Sequence, residues 1–126
     1  MNTILVVEDD RNLLKLYSAE LQTEGYRVLL ANNGNEAARC VSREAPDLIV
    51  MDIRMPEKDG LDAMAEILHD HGRIPIILNS AYSSYQDDFL TWAADAYVIK
   101  SADLEPLKHK IREILDSRQK RDPSDE

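Results

Sequence analysis

Short apolar runs alternate along the chain with longer stretches in which apolar residues recur every three or four positions. The short runs are typical of strands buried on both faces, and the longer stretches are typical of helices with one apolar side. The pattern predicts five strands, namely Thr3–Val7, Arg27–Ala31, Leu48–Asp52, Ile76–Asn79 and Ala96–Ile99. It also predicts five helices, namely Asn12–Glu24, Asn35–Glu44, Leu61–His71, Ser84–Ala93 and Leu104–Arg118.

Helix-ending residues fall at the boundaries of these elements. Gly25 follows the first helix in the manner of a C-cap, while Pro46 and Pro75 stand just before strands and cannot continue a helix. Each predicted strand is therefore followed by a helix, which gives five βα units. This order indicates an α/β fold, a doubly wound parallel sheet covered by helices on both faces.

The length and composition of the chain are typical of a single domain. The chain has 126 residues, of which 44% are hydrophobic, and this is enough for a single buried core. We expect residues 1–118 to form the domain and residues 119–126, which carry no apolar side chain, to be a disordered tail. Cys40 is the single cysteine, so an internal disulfide is excluded, and its position in the second helix predicts a buried apolar role.

Charge and hydropathy indicate where the protein is located and which kinds of partner it can bind. The net charge of −9 disfavours nucleic acid as a partner, because the protein would repel backbone phosphates. No window approaches the ~18 apolar residues of a membrane span, and the first apolar run passes directly into charged residues rather than into a signal sequence. We therefore expect a cytoplasmic protein without membrane insertion.

Polar side chains follow the predicted strands where each one ends. Glu8 and Asp9 follow the first strand, Asp52 ends the third, Ser80 follows the fourth and Lys100 follows the fifth. The carboxyl ends of parallel strands share one edge of the sheet, so these groups are expected in one pocket. Carboxylates, a hydroxyl and an ammonium at one place are suited to a divalent metal ion and a phosphoryl group.

These motifs together resemble the receiver domain of two-component response regulators, of the single-domain type found in chemotaxis regulators. The resemblance extends from Asn2 to Arg118 and rests on four ordered segments, namely Ile4–Asp10, Asp52–Pro56 with Asp59-Gly60, Ser80-Ala81 and Tyr97–Lys100. It implies a flavodoxin-like fold of strand order 2-1-3-4-5.

The resemblance also implies the role of each site residue. Asp52 would be the phosphate acceptor, with Lys100 and Ser80 binding the phosphoryl group. Mg²⁺ would be held by Asp9 and Asp52 directly, by Glu8 through water and by the backbone carbonyl of Arg54. Asp10 falls outside this set, and we expect it to cap the first helix.

Signalling is expected through protein contact. By the same resemblance, Tyr97 would be a switch residue that turns inward when Ser80 moves toward the phosphoryl group. The signalling face would combine the predicted helix Ser84–Ala93, the strand Ala96–Ile99 and the last helix. The phosphoryl group would come from a histidine kinase or a phosphotransfer protein, and the downstream target would be another protein. The chain would catalyse only its own phosphotransfer and autodephosphorylation.

Two positions depart from the family pattern. Asn79 occupies a place that is usually apolar, so its amide needs a hydrogen-bond partner if it is buried. Ser101 replaces the usual proline after Lys100, and we expect the Lys100–Ser101 peptide to be trans because a cis bond before a residue other than proline costs about 2.5–4 kcal/mol. Ser101 or Asp103 could then cap the last helix.

Three other functions are compatible with parts of this pattern. A haloacid-dehalogenase-like phosphatase needs a second carboxylate two residues after the first, where this chain has Arg54. A flavodoxin-like flavin carrier needs a loop that cradles phosphate after the first strand, where the acidic segment Glu8–Asp10 would repel it. The remaining alternative is a receiver-like interaction module that works without phosphorylation.

Overall fold

The computed structural model of the protein describes residues 1–53, 60–71, 74–81 and 94–120. Its strands are β1 (Thr3–Val7), β2 (Arg27–Ala31), β3 (Leu48–Met51), β4 (Ile76–Ser80) and β5 (Ala96–Ile99). Its helices are α1 (Arg11–Thr23), α2 (Gly34–Glu44), α3 (Gly60–His71) and α4 (Glu105–Lys120). The predicted helix Ser84–Ala93 lies outside the described residues.

The five strands form one parallel sheet in the order β2-β1-β3-β4-β5. This confirms the predicted fold class, a flavodoxin-like sheet wound in both directions from its centre. The central strands β1, β3 and β4 are almost completely buried, which is why they read as continuous apolar runs rather than as alternating ones.

Alternate side chains of the central strands enter two separate apolar layers. Leu5 and Met51 lie in the layer covered by α2 and α3, whereas Ile4 and Val50 lie in the layer covered by α1 and α4. The sheet therefore has a core on each face, as the strand pattern requires. Cys40 is buried in the first of these layers, as predicted.

Local interactions fix the helix ends. Gly25 follows α1 with φ +94°, a backbone conformation that glycine adopts without a Cβ clash. Asn33 caps α2 by accepting a hydrogen bond from the N–H of Glu36 at 2.8 Å. Ala45 closes α2 with φ +46°, which is unusual for a residue with a side chain and which the sequence did not indicate.

Six of the nine described elements differ from the predicted bounds by one or two residues at one end or both. β3 ends at Met51 and not at Asp52, while β4 continues through Ser80. α4 reaches Lys120, beyond the predicted end at Arg118, and the guanidinium of Arg118 donates to the carbonyl of Asp47 at 2.8 Å.

The division into a domain of residues 1–118 and a tail of residues 119–126 stays a prediction, since residues 121–126 lie outside the described part. Within the described residues, no helix combines the length and the hydropathy that crossing a bilayer would need.

Candidate functional site

Three charged residues directly follow strands, and main-chain hydrogen bonds of the sheet fix their backbones. Glu8, Asp52 and Lys100 are the first residues after β1, β3 and β5. Each donates its main-chain N–H to a carbonyl of a neighbouring strand, at 3.1, 3.0 and 2.7 Å. The strand ladder thus continues one residue into the site, and the three side chains project from a rigid edge of the sheet.

Three carboxylates meet at this edge. Oxygen atoms of Glu8, Asp9 and Asp52 all lie within 4.8 Å of one another. Glu8 is 2% exposed and Asp52 is 6% exposed, whereas Asp9 is exposed to solvent. Because like charges repel and burial disfavours the ionised form, such a group gains from a bound cation. An all-oxygen cluster that is open on one side suits a hard divalent ion that keeps several waters.

Lys100 supplies the positive charge of the site. Its Nζ lies 2.6 Å from Oε2 of Glu8 and 3.3 Å from Oδ2 of Asp52, and the side chain is 17% exposed. Burial lowers the pKa of Lys100, but the hydrogen bond to Glu8 and the charge of Asp52 outweigh it, so the pKa is raised overall. The side chain therefore remains an ammonium at neutral pH.

Glu8 is the carboxylate whose protonation is most perturbed. Burial, assisted by the charge of Asp52, raises its pKa from 4.5 to about 7 even though Lys100 and the N–H of Asp10 stabilise the anion. This pKa places the change between neutral and ionised Glu8 near neutral pH. A cation in the cluster would favour the ionised form.

Asp10 has a different function from its neighbours. Its Oδ1 accepts hydrogen bonds from the backbone N–H groups of Asn12 at 2.8 Å and Leu13 at 3.2 Å. It is thus the N-cap of α1, as predicted, and its carboxylate is directed to the helix end rather than to the cluster.

The structure describes some of the other predicted site residues and not the rest. Ser80 is fully buried at the end of β4, and Tyr97 is half-buried in β5 opposite Leu78. Arg54, whose carbonyl was predicted to bind the metal, lies outside the described residues. Of the predicted signalling face, β5 and α4 are described and the helix Ser84–Ala93 is not.

The loop after Lys100 follows the expectation drawn from Ser101. The described residues contain no cis peptide bond, so the Lys100–Ser101 bond is trans as predicted. Asp103 accepts a hydrogen bond from the N–H of Glu105 at 3.0 Å, and Ser101 accepts one from the N–H of Asp103 at 3.1 Å. Asp103 thus satisfies the first N–H of α4, whereas Ser101 bonds to the loop that precedes the helix.

One contact near the site was not predicted. The amide nitrogen of Asn79 donates to the hydroxyl of Tyr17 in α1 at 3.1 Å, and both side chains are 3% exposed. The polar character of Asn79 signalled that a partner was needed. The identity of Tyr17 could not be read from the sequence because the two residues are 62 positions apart.

Comparison with known proteins agrees with this geometry. The family model of the response regulator receiver domain matches residues 4–112. The structure of the response regulator protein TrrA from Thermotoga maritima in complex with Mg²⁺–BeF is 42% identical, covers 90% of this chain and 98% of that chain, and has a TM-score of 0.87. TrrA in complex with the histidine kinase ThkA gives 43% identity, coverage of 91% and 99%, and a TM-score of 0.86.

Longer regulatory proteins contain a similar segment. The regulatory protein AtoC of Escherichia coli is 36% identical over 117 residues, which are 91% of this chain and 25% of AtoC. The chain spans about a quarter to a half of the length of the curated relatives it matches. Since the family match covers most of the sequence and the fold and strand-end residues agree with it, the chain belongs to the response regulator receiver domain family.

Proposed function

We propose that this chain is a phospho-accepting signalling switch that receives a phosphoryl group on Asp52 from a histidine kinase or a phosphotransfer protein, with Mg²⁺ as cofactor. One observation carries the proposal. The buried Asp52 carboxylate lies 3.3 Å from the Lys100 ammonium and within 4.8 Å of carboxylate oxygens of Glu8 and Asp9. A nucleophile, a cation and a set of metal ligands thus share one pocket.

The chemistry explains why these groups belong together. A carboxylate oxygen of Asp52 would form a bond to phosphorus while the bond from phosphorus to the donor breaks, giving an acyl phosphate. Both reactants are negatively charged, so the transfer needs positive charge at the phosphoryl oxygens. Lys100 remains an ammonium and can exchange its contact with Asp52 for one with a phosphoryl oxygen.

The acidic cluster fits Mg²⁺. Asp9 and Asp52 would bind the ion directly and Glu8 would bind it through water, with the carbonyl of Arg54 as a further ligand. When bound, the ion would neutralise charge on the carboxylates and on the phosphoryl oxygens. TrrA, whose structure was solved with Mg²⁺–BeF, supports this assignment, because beryllium fluoride imitates a phosphoryl group.

Ser80 and Tyr97 would transmit the change. A hydrogen bond from the Ser80 hydroxyl to a charged phosphoryl oxygen is worth about 1.5–3 kcal/mol, which is enough to shift a loop between two positions by roughly tenfold or more. Tyr97 would then turn inward and alter the face formed by the predicted helix Ser84–Ala93, β5 and α4. That face would bind a downstream protein.

The source of the phosphoryl group is proposed from the relatives. TrrA was solved in complex with the histidine kinase ThkA, which supports a kinase as the partner of this chain. The net charge of −9 supports protein rather than nucleic acid as the target of the domain itself. We place the protein in the cytoplasm and assign it no reaction beyond its own phosphotransfer and autodephosphorylation.

The alternative, an interaction module that works without phosphorylation, is less well supported. Such a module would have no need of the acceptor, the cation and the carboxylate cluster, yet Asp52, Lys100 and Glu8 are all present and in contact. None of the comparisons favours it.

The test is phosphorylation of the purified chain. In Mg²⁺, acetyl phosphate or a phosphorylated histidine kinase is expected to label the wild-type chain and not Asp52→Asn, because an amide keeps the shape of the side chain but is not a nucleophile. Asp10→Asn is the matched control, since it should keep both the helix cap and the label. Full labelling of Asp52→Asn, read by mass spectrometry of the intact protein, would show that the acceptor lies elsewhere.

A further inference from the structure

A buried hydrogen bond ties β4 to α1 directly below the candidate site. The amide nitrogen of Asn79 donates to the Tyr17 hydroxyl at 3.1 Å. Tyr17 belongs to the apolar layer between the sheet and the helices α1 and α4, among residues such as Leu14, Leu21 and Ile77. The pair is therefore a polar contact inside a part of the core that is otherwise apolar.

The position of Asn79 in the sheet connects this contact to the site. Leu78 of β4 pairs with Met51 of β3, and the next residues along the chain are Asn79, still in β4, and Asp52, directly after β3. The Asn79 amide thus anchors β4 at the level of the proposed phosphate acceptor.

The same short segment carries one of the two groups proposed to bind the phosphoryl oxygens and is hydrogen-bonded to the residue that carries the other. Ser80 follows Asn79 directly, and its carbonyl accepts the N–H of Lys100 at 2.7 Å. The end of β4 therefore holds the Ser80 hydroxyl itself and aligns the backbone of Lys100. A shift at Asn79 would move both groups relative to Asp52.

The stability of the fold does not by itself explain why a polar pair occupies this buried position. Within the described part of the chain, the Tyr17 hydroxyl is the only hydrogen-bond partner of the Asn79 side chain, although a carboxamide can make several hydrogen bonds. Replacing both partners of a buried neutral hydrogen bond by apolar groups of the same shape can leave stability nearly unchanged. Burial also raises the pKa of Tyr17, so its hydroxyl stays neutral and keeps its hydrogen-bonding capacity.

We propose that Tyr17 and Asn79 are a positioning pair that holds the end of β4 so that Ser80 and Lys100 face Asp52 in the geometry needed for phosphoryl transfer. The inference rests on the proposed function. Neither residue touches the phosphoryl group, and both act through the backbone of β4.

The experiment compares Tyr17→Phe, Asn79→Leu and the double variant with the wild-type chain. The rate of Asp52 phosphorylation is measured over a range of acetyl phosphate concentrations at saturating Mg²⁺. Each single substitution is expected to lower the maximal rate about two- to tenfold, the rate equivalent of one hydrogen bond. The Mg²⁺ affinity and the half-saturating acetyl phosphate concentration are expected to stay unchanged. The double variant should be no slower than the slower single variant, because both changes remove the same contact.

Two measurements separate positioning from simple packing. Urea unfolding of each variant is recorded in parallel, and the double variant, whose pair is entirely apolar, is expected to be at least as stable as Tyr17→Phe. A stable double variant that remains slow supports positioning. Leu14→Met in the same apolar layer is the control, since a substitution that conserves volume should leave the rate unchanged.

Several results would overturn the inference. Recovery of the wild-type rate in the double variant would mean that the two polar groups only satisfy each other. Single variants as fast as the wild type, or an equal slowing by Leu14→Met, would also refute it. A wild-type chain that acetyl phosphate does not label would refute the proposed function itself, which is a distinguishable outcome.

Discussion

The adjacent residues Asp9 and Asp10 are expected to give opposite results when each is replaced by alanine. Asp10 Oδ1 accepts two backbone N–H groups at the start of α1, at 2.8 and 3.2 Å. Asp9 is exposed, and no hydrogen bond or ion pair to it is found in the part of the chain that the structure describes. Its carboxylate instead belongs to the acidic cluster with Glu8 and Asp52.

The magnitudes follow from these contacts. Loss of an N-cap costs about 1 kcal/mol, which for a domain of this size lowers the unfolding temperature by about 3–6 °C. Asp10→Ala should show this loss with and without Mg²⁺, and its Mg²⁺ affinity should be nearly unchanged. Asp9→Ala should be at least as stable as the wild type in EDTA, because it removes only a repelling charge. Its Mg²⁺ affinity should fall at least tenfold, since a direct ligand is lost.

The assay is a pair of measurements on each variant. Thermal unfolding in EDTA reports the cap, and calorimetric titration with Mg²⁺ reports the ligand. Unfolding in Mg²⁺ links the two, because a ligand that binds only the folded state raises stability with its concentration. Equal losses of Mg²⁺ affinity in the two variants would refute the division of roles, and so would a destabilised Asp9→Ala in EDTA.

Two further predictions concern single residues. The pKa of Glu8 is raised to about 7, so the protonated form of this carboxyl group dominates below that pH. Because Mg²⁺ favours ionised carboxylates, the apparent Mg²⁺ affinity should fall about tenfold from pH 8 to pH 6. Calorimetric titrations of Glu8→Gln should show a much flatter dependence, and an equally steep one would mean that another group titrates. Ala45→Gly should raise the free energy of unfolding in urea by about 0.5–1 kcal/mol, since glycine relieves the strain of φ +46°. Unchanged or lower stability of that variant would contradict this reading of the helix end.

The sequence predicted the centre of the sheet well because the strands β1, β3 and β4 are buried on both faces. β1 and β3 are unbroken apolar runs in the sequence. In a chain that also contains amphipathic helices, a short run of this kind is typical of a buried strand. The meeting of Glu8, Asp52 and Lys100 could be predicted for a related reason. Each residue ends a parallel strand, so the topology alone brings the three side chains to one edge.

The details that depend on side-chain packing were not predictable. The sequence predicted that Lys100 shares a pocket with the carboxylates, and the structure shows that its shorter contact is with Glu8 and its longer one with Asp52. The choice between the two carboxylates depends on side-chain geometry in the folded pocket, which no spacing encodes. The left-handed Ala45 was missed because alanine gives no signal for that conformation, although the following Pro46 marks the end of the helix.

The charges of the site explain why a divalent cation and phosphoryl transfer belong together. Among the described side chains, three carboxylates and one ammonium lie at this site, and burial together with the charge of Asp52 raises the pKa of Glu8. A divalent cation would bring this set to neutrality with Glu8 ionised, so the acceptor Asp52 would meet an incoming phosphoryl group without the repulsion of the metal-free site. Phosphorylation then adds negative charge at one defined atom. The neighbouring groups that can respond to it are the Lys100 ammonium and the Ser80 hydroxyl, which the end of β4 holds together.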